Sequence, residues 1–315
     1  MDTLVIYGGD CGWSNFESNV FLPHLKDKIK SIKIFKTISE LNVYLEGEGK
    51  KNINYVIPLT DRHCQELNTE KIPALIPNSE VLIFFSDKQL FTQYVKINNL
   101  TNYYPEVFTA PNVSKKLVVV KPNFGGASTN VYFTELNKLK PQDFINNTVQ
   151  EYIHSNLEFA GYFVANKGEI IHSFGYYREY PPGPYIKAIN DKTVQKRTII
   201  DKYYVKIIEK FVKPVSYTGA FCVDFKLAKN TLIVMEINPR LGASLSYPEN
   251  IKDGADVIRC LINIYKDKII EIKKNKKTSK TTDKIVNEER VIEPDETIVV
   301  NEERVIEPAE TIVNE

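Results

Sequence analysis

Cysteine is scarce in this chain of 315 residues, and the four present, Cys11, Cys64, Cys222 and Cys260, lie far apart. There is no Cys-x-x-Cys pair, so neither a disulfide framework nor a cysteine zinc site is indicated. The thiols read as reduced, mostly core groups of a cytoplasmic protein. Histidine is equally rare. His24, His63, His154 and His172 form no triad-like pattern with a serine or cysteine, and each reads as structural. No apolar run approaches the roughly 20 residues that a membrane helix needs, so no membrane partner is expected. Met1-Asp2-Thr3 leads straight into the strand-like Leu4-Val5-Ile6-Tyr7, and no secretory leader is expected. A net charge of +1 gives no argument for a nucleic-acid partner, and none is expected.

That near-neutral total conceals a split. Residues 283–315 hold eleven acids and three bases, a net of −8, which leaves +9 on residues 1–282. Seven lysines fall between Lys266 and Lys280. The acidic end is also a tandem repeat: VNEERVIEPDETIV (286–299) is followed by VNEERVIEPAETIV (300–313), differing only at Asp295 and Ala309. Two copies of a unit this short cannot bury a core, and Pro294 and Pro308 break any long helix. Residues 271–315 are therefore expected to be a basic linker and a disordered acidic tail.

The rest reads as α/β. Residues 3–8, 53–59 and 81–85 have the apolar runs of buried strands, and the segments 16–28 and 38–45 suit helices. Ser86 followed three residues later by Gln89 predicts a capping box opening a helix to about Ile97. From Leu117 the chain turns β-rich, with strands expected at 117–122, 129–134, 148–153, 159–165 and 169–176. A helix over 192–211 and a closing helix over 252–266, with Val257, Leu261, Ile264 and Tyr265 at helical spacing, complete the reading.

Chemistry concentrates in residues 218–242, YTGAFCVDFKLAKNTLIVMEINPRL. Residues 219–227 alternate, and a polar turn at Lys229-Asn230-Thr231 precedes a second strand, so the stretch predicts a hairpin. Centring it on Asn230 sets Asp224 opposite Glu236, and the two-residue strand period puts Asn238 on the face of Glu236. Two carboxylates and an amide oxygen form an all-oxygen set suited to Mg²⁺. Acids on a strand are commonly just solvated. Here the flanking strands are strongly apolar, and Asn-Pro-Arg and a glycine-bearing loop follow at once.

Two further elements precede the hairpin. In VVVKPNFGGAST (118–129), Lys121 leaves the end of an apolar strand and enters a small-residue loop. Such a loop lets backbone N–H groups approach a phosphate, with the lysine adding a point charge. In VQEYI (149–153), a strand edge is followed by Glu158. Each alone also reads as an ordinary hairpin or strand.

Together and in this order, the motifs DKQLFTQYVKINNL, VVVKPNFGGAST, VQEYIHSNLE, GAFCVDF and MEINPRLGAS resemble the ATP-grasp superfamily over residues 87–267. The N-terminal segment is similar to its Rossmann-like pre-ATP-grasp domain. The Asn-Pro-Arg motif, its Gly/Ser loop and Gly254-Ala255-Asp256 look like the branch related to the carbamoyl-phosphate synthase large chain. The resemblance implies a pre-ATP-grasp domain at 1–86 and an ATP-grasp domain at 87–270, with antiparallel sheets clamping ATP.

By the same resemblance, Lys121 contacts phosphates and the loop Gly125, Gly126, Ala127, Ser128 and Thr129 closes over them. Glu151 with the backbone of Tyr152 and Ile153 holds adenine, and Glu158 the ribose. Asp224, Glu236 and Asn238 hold one or two Mg²⁺ ions, which Mn²⁺ can replace, and Arg240 stabilises charge on the transferring phosphoryl group or the acyl phosphate. Arg178 and Lys187 read equally as groups that reach the γ-phosphate or a substrate carboxylate and as surface charges. A second phosphate-binding lysine is expected upstream of Lys121, with Lys115 and Lys116 as candidates. The implied activity is a Mg-dependent carboxylate–amine ligase working through an acyl phosphate on small molecules, with a homodimer left open. Two alternatives stand beside it: an ATP-grasp enzyme that modifies a peptide or its own tail, and a non-catalytic ATP-binding protein.

Overall fold

The computed structural model describes residues 2–8, 21–67, 72, 74–125, 129–186, 194–228 and 231–288, with side chains described to residue 270. Residues 1–272 form one compact unit. In the second unit, 273–315, the described residues to 288 are helical.

The N-terminal part alternates strand and helix. β1 (Asp2–Tyr7), β2 (Ser31–Phe35) and β3 (Ile53–Pro58) form a parallel sheet in the order β2-β1-β3. β1 is buried along nearly its whole length, as an apolar central strand covered on both faces should be. Between β2 and β3 lies α1 (Ile38–Glu46), opened by a capping box in which Thr37 and Glu40 satisfy each other's backbone N–H groups. After β3 comes the short α2 (Asp61–Glu66), capped by Thr60.

Residues 79–86 correct the sequence reading. The run expected as a strand at 81–85 is the helix α3 (Ser79–Ser86), capped by Asn78, whose side chain accepts from Val81 N–H. Val81, Leu82 and Phe85 are buried while Ile83 and Phe84 face outward, a helical spacing that an all-apolar run hides. The next helix, α4 (Lys88–Ile97), is capped by Asp87 rather than by a Ser86–Gln89 box. The Asp87 carboxylate accepts from Gln89 N–H at 2.7 Å and Leu90 N–H at 3.1 Å. Of the helix expected at 16–28, residues 16–20 lie outside the described residues, and 22–24 form only a 3₁₀ turn. β2 was not anticipated.

Two antiparallel sheets follow. β4 (Val107–Phe108), β5 (Leu117–Pro122), β6 (Tyr132–Glu135) and β7 (Asn147–Glu151) form the smaller, ordered β4-β7-β5-β6. The larger holds β8 (Leu157–Asn166), β9 (Glu169–Glu179), β10 (Lys196–Thr198), β11 (Gly219–Ala228) and β12 (Thr231–Asn238), ordered β10-β9-β8-β11-β12. The helix expected over 192–211 is shorter: β10 precedes α5 (Lys202–Val212), which starts at its Asp201 cap. The closing helix is longer than expected, with α6 running Ile251–Glu288.

One apolar cluster joins the parallel sheet and one face of the larger sheet to α6, through residues such as Ile6, Tyr162, Cys222, Leu261 and Tyr265. A second packs α3, α4 and α5 on the other face, around Phe85, Phe91, Phe211 and Phe225. Much of the larger sheet is thus covered, and an ionisable group on its buried part needs a partner or a ligand. Among the described residues no helix is long and apolar enough to cross a membrane.

Candidate nucleotide and metal site

Register builds the site. Across the β11–β12 hairpin, Cys222 pairs with Asn238 and Asp224 with Glu236. The ladder then shifts: Phe225 pairs with Val234, leaving Met235 as the extra residue of a β-bulge. The bulge re-aims the Met235 carbonyl, which accepts from Lys121 Nζ at 3.3 Å. Lys121 reaches it from the end of β5 and is buried.

A cleft opens between the two antiparallel sheets. Lys88, Lys121, Phe124, Gly125, Tyr152, Ile153, Glu158, Tyr185, Asp224, Lys226, Met235 and Glu236 are among the residues that line it. At one end its charges converge. Lys88 Nζ lies 3.8 Å from Glu236 Oε1 and donates to the Gly125 carbonyl at 3.0 Å. Burial pushes the Lys121 ammonium down to about 8; Glu236 draws it back up and Lys88 adds to the depression. Gly125 carries φ +115°, a left-handed conformation that glycine accommodates without strain.

The donor set also bears on a metal. Among the described residues no group of three or more His, Cys, Asp and Glu side chains forms a metal cage. Asp224 and Glu236 instead offer two carboxylates beside two lysines. That fits Mg²⁺, which binds through one or two carboxylates and takes the rest of its shell from phosphates and water.

The remaining expected site residues divide. Tyr152, Ile153 and Glu158 line the cleft, and Tyr185 Oη donates to Glu158 Oε2 at 3.2 Å. The Glu151 side chain does not. It lies 3.7 Å from Lys116 and lines a separate groove beside α4. Its neighbour Gln150 pairs in register with the cleft residue Val119 and is fully buried. Asn238 and Arg240 stand just beyond the cleft. Arg240 is partly buried, with Nε on Asp61 Oδ1 at 3.1 Å, Nη1 on the Leu241 carbonyl at 3.1 Å and Nη2 on Asn238 Oδ1 at 3.3 Å. Burial opposes its charge, and Asp61 together with Cys222 and Cys64 more than offsets that. Arg178 pairs across the strands with Glu158 and donates to Gln195 Oε1 at 3.2 Å. Gly126, Ala127, Ser128 and Lys187 lie outside the described residues.

The lysine candidates are also sorted. Lys116 donates to Glu106 at 2.6 Å, Lys115 is exposed, and neither lines the cleft; Lys88 joins Lys121 at its charged end. Sequence reasoning passed over Lys88 because it lies 33 positions before Lys121, although Asp87 fixes its place as the first residue of α4. Lys226 was passed over because a strand lysine reads as solvated.

The ATP-grasp domain family matches residues 85–244, more than half of the chain. This chain belongs to the ATP-grasp family. Solved structures share the fold at low identity. D-alanine–D-alanine ligase from Bacillus anthracis is 15% identical with a TM-score of 0.60, covering 88% of this chain and 99% of that one. Biotin carboxylase from Campylobacter jejuni is 14% identical with a TM-score of 0.54, covering 84% and 70%. N5-carboxyaminoimidazole ribonucleotide synthetase from Thermotoga maritima is 16% identical with a TM-score of 0.52, covering 82% and 76%. No curated protein matches the chain in sequence. The ATP-grasp fold explains why two antiparallel sheets face each other across one charged cleft.

Proposed function

We propose that this ATP-grasp chain is an ATP-dependent carboxylate–amine ligase that forms an acyl phosphate and releases ADP and phosphate. The observation that carries this reading is the convergence of Lys88, Lys121, Asp224 and Glu236 at one end of a cleft between two sheets. Two cations there suit a triphosphate, and two carboxylates suit the metal that accompanies it.

In this reading Lys88 and Lys121 hold phosphate oxygens, Gly125 brings backbone close to them, and the backbone at 151–153 meets the base. Glu158 accepts from the ribose. Asp224 and Glu236, with Asn238 beside them, hold Mg²⁺, which when bound neutralises phosphate charge. Arg240, which donates to Asn238 Oδ1, would stabilise charge on the transferring phosphoryl group or the acyl phosphate. The acid carboxylate attacks the γ-phosphorus in line and ADP leaves; the amine then attacks the acyl carbon and phosphate leaves. No protein nucleophile enters either step. The domain division at 86/87 and 270/271, the branch related to the carbamoyl-phosphate synthase large chain and the cytoplasmic location belong to the same reading.

The test is ADP release from the full chain with Mg²⁺ and ATP, across panels of amino acids and dicarboxylates offered as acid and as amine. Release that requires both an acid and an amine is the expected result. Release without added amine, with loss of water from the chain's own mass, would instead support modification of the tail. Binding of ATP with no release under any pairing would support a non-catalytic binder.

A further inference from the structure

Lys226 is a buried lysine on the wall of the cleft. It is 4% exposed, and its ammonium makes one described hydrogen bond, to the Ile153 carbonyl at 3.3 Å. Two tyrosine rings cover it, Tyr185 with its centroid at 4.4 Å and Tyr152 at 4.8 Å. An ammonium has three donors, so this setting leaves capacity for a further acceptor. Burying a charge in this way is costly, and an apolar residue between Tyr152 and Tyr185 would pack with less penalty. Burial accordingly depresses the Lys226 pKa, against a smaller upward pull from Glu158.

Its position says what that acceptor is. Asp224 and Lys226 share the cleft face of β11 two residues apart, about 7 Å along the strand. Asp224 marks the end where Glu236, Lys88 and Lys121 gather. Lys226 pairs instead with Glu158 and touches the backbone at Ile153. A nucleotide with its phosphates at the Asp224 end therefore runs its sugar and base toward Lys226.

We propose that Lys226 is a specificity-determining residue of the nucleotide site, its ammonium donating to an acceptor on the edge of the bound nucleobase. This rests on the nucleotide reading above. It makes the charge at residue 226 a determinant of nucleoside recognition and leaves the phosphate end independent of it. The competing role is structural, with Lys226 only fastening the segment after β7 to β11 through the Ile153 carbonyl.

Lys226→Met conserves length and removes the donors, and Lys226→Arg restores a cation. Calorimetric titration of the full chain and both variants with Mg-ATP and with Mg-tripolyphosphate, which has no base, separates the roles. The expected result is a Kd for ATP raised about tenfold or more in Lys226→Met. Tripolyphosphate affinity stays unchanged, which also reports a folded site, and Lys226→Arg recovers part of the loss. Unchanged ATP affinity in Lys226→Met overturns the proposal, as does an equal loss for both ligands. A parent chain that binds neither ligand overturns the nucleotide reading itself.

Discussion

Lys121 Nζ and the Met235 carbonyl oxygen lie 3.3 Å apart, and the contact exists because Met235 is the extra residue of a bulge. The smaller sheet thereby delivers a cation to the strand that carries Glu236. A bulge beside a functional centre is a common way to re-aim one group without disturbing the flanking ladder. Here it frees one backbone acceptor at the place where the two sheets must cooperate.

Glu236→Gln should keep the fold and abolish Mg-dependent ADP formation, by about two orders of magnitude or more. The substitution conserves volume on a strand position whose side chain is partly exposed, so thermal unfolding should be nearly unchanged. Activity within a few-fold of the parent would remove Glu236 from the metal site.

Lys121 gives a pH signature with two opposite signs. Burial lowers its folded pKa to about 8, below the ordinary lysine value. The unfolded chain therefore holds more protons between about 8 and 10.4, and this residue's destabilising contribution is relieved as pH rises through that window. Phosphate binding moves the other way, since it needs the ammonium. Mg-tripolyphosphate affinity should fall as pH rises through about 8 and lose that dependence in Lys121→Met. An affinity flat from pH 7 to 9 in the parent would remove Lys121 from the phosphate contacts.

Lys88 and Lys116 can be ranked directly. Lys88→Ala should weaken Mg-ATP binding about tenfold or more, the scale of a charge-assisted hydrogen bond in a partly closed site. Lys116→Ala should change it by less than about twofold, because Lys116 and its nearer partner Glu106 are exposed and Glu151 lines a separate groove. The reverse ranking would move the second phosphate contact out of the cleft.

How much of this site was legible in the sequence depends on what kind of signal each residue leaves. The Asp224–Glu236 pairing followed from strand parity, yet by a different route. Ala228 pairs with Thr231, one step off the register centred on Asn230, and the bulge at Met235 restores it; residues 229 and 230 lie outside the described residues. Glu151 and Gln150 show the limit of motif reading, because one residue of parity decides which side chain lies beside Val119. Helix α3 was illegible for another reason: in an apolar run without polar positions, neither period can be seen. Lys88, Lys226 and Asp61 left no local signal, because each acquires its role from residues tens of positions away.

Asp61 and Arg240 join the N-terminal α/β part to the end of β12. A buried pair broken on one side costs about 3–5 kcal/mol, but Asp61 is about a third exposed, so screening reduces the expected loss to about 1–2 kcal/mol for Asp61→Ala. Asp61→Glu should recover part of it. Arg240 also touches Asn238 Oδ1, so the same change should lower kcat while leaving KM for ATP unchanged. Loss of stability with intact kcat would mean that the pair is structural only.

Ending the chain at Lys280 should leave folding and ADP formation intact. The apolar contacts of α6 with the body run through Ile258, Leu261, Ile262, Tyr265 and Ile269, all before that point. The ATP-grasp match also ends earlier, at residue 244. Residues 286–313 lack the apolar periodicity of a docking helix, and their clustered glutamates repel one another when packed closely. A net of −8 in residues 283–315 opposes +9 in the rest, so an attraction to that basic remainder is the physical competitor. Such an attraction is long-range, and salt above about 0.1 M screens it substantially. Activity of the full and shortened chains across a salt series separates the cases. If shortening raises activity at low salt and the difference vanishes at high salt, the tail competes with the nucleotide. A loss of activity or thermal stability at every salt concentration would make the tail a working element.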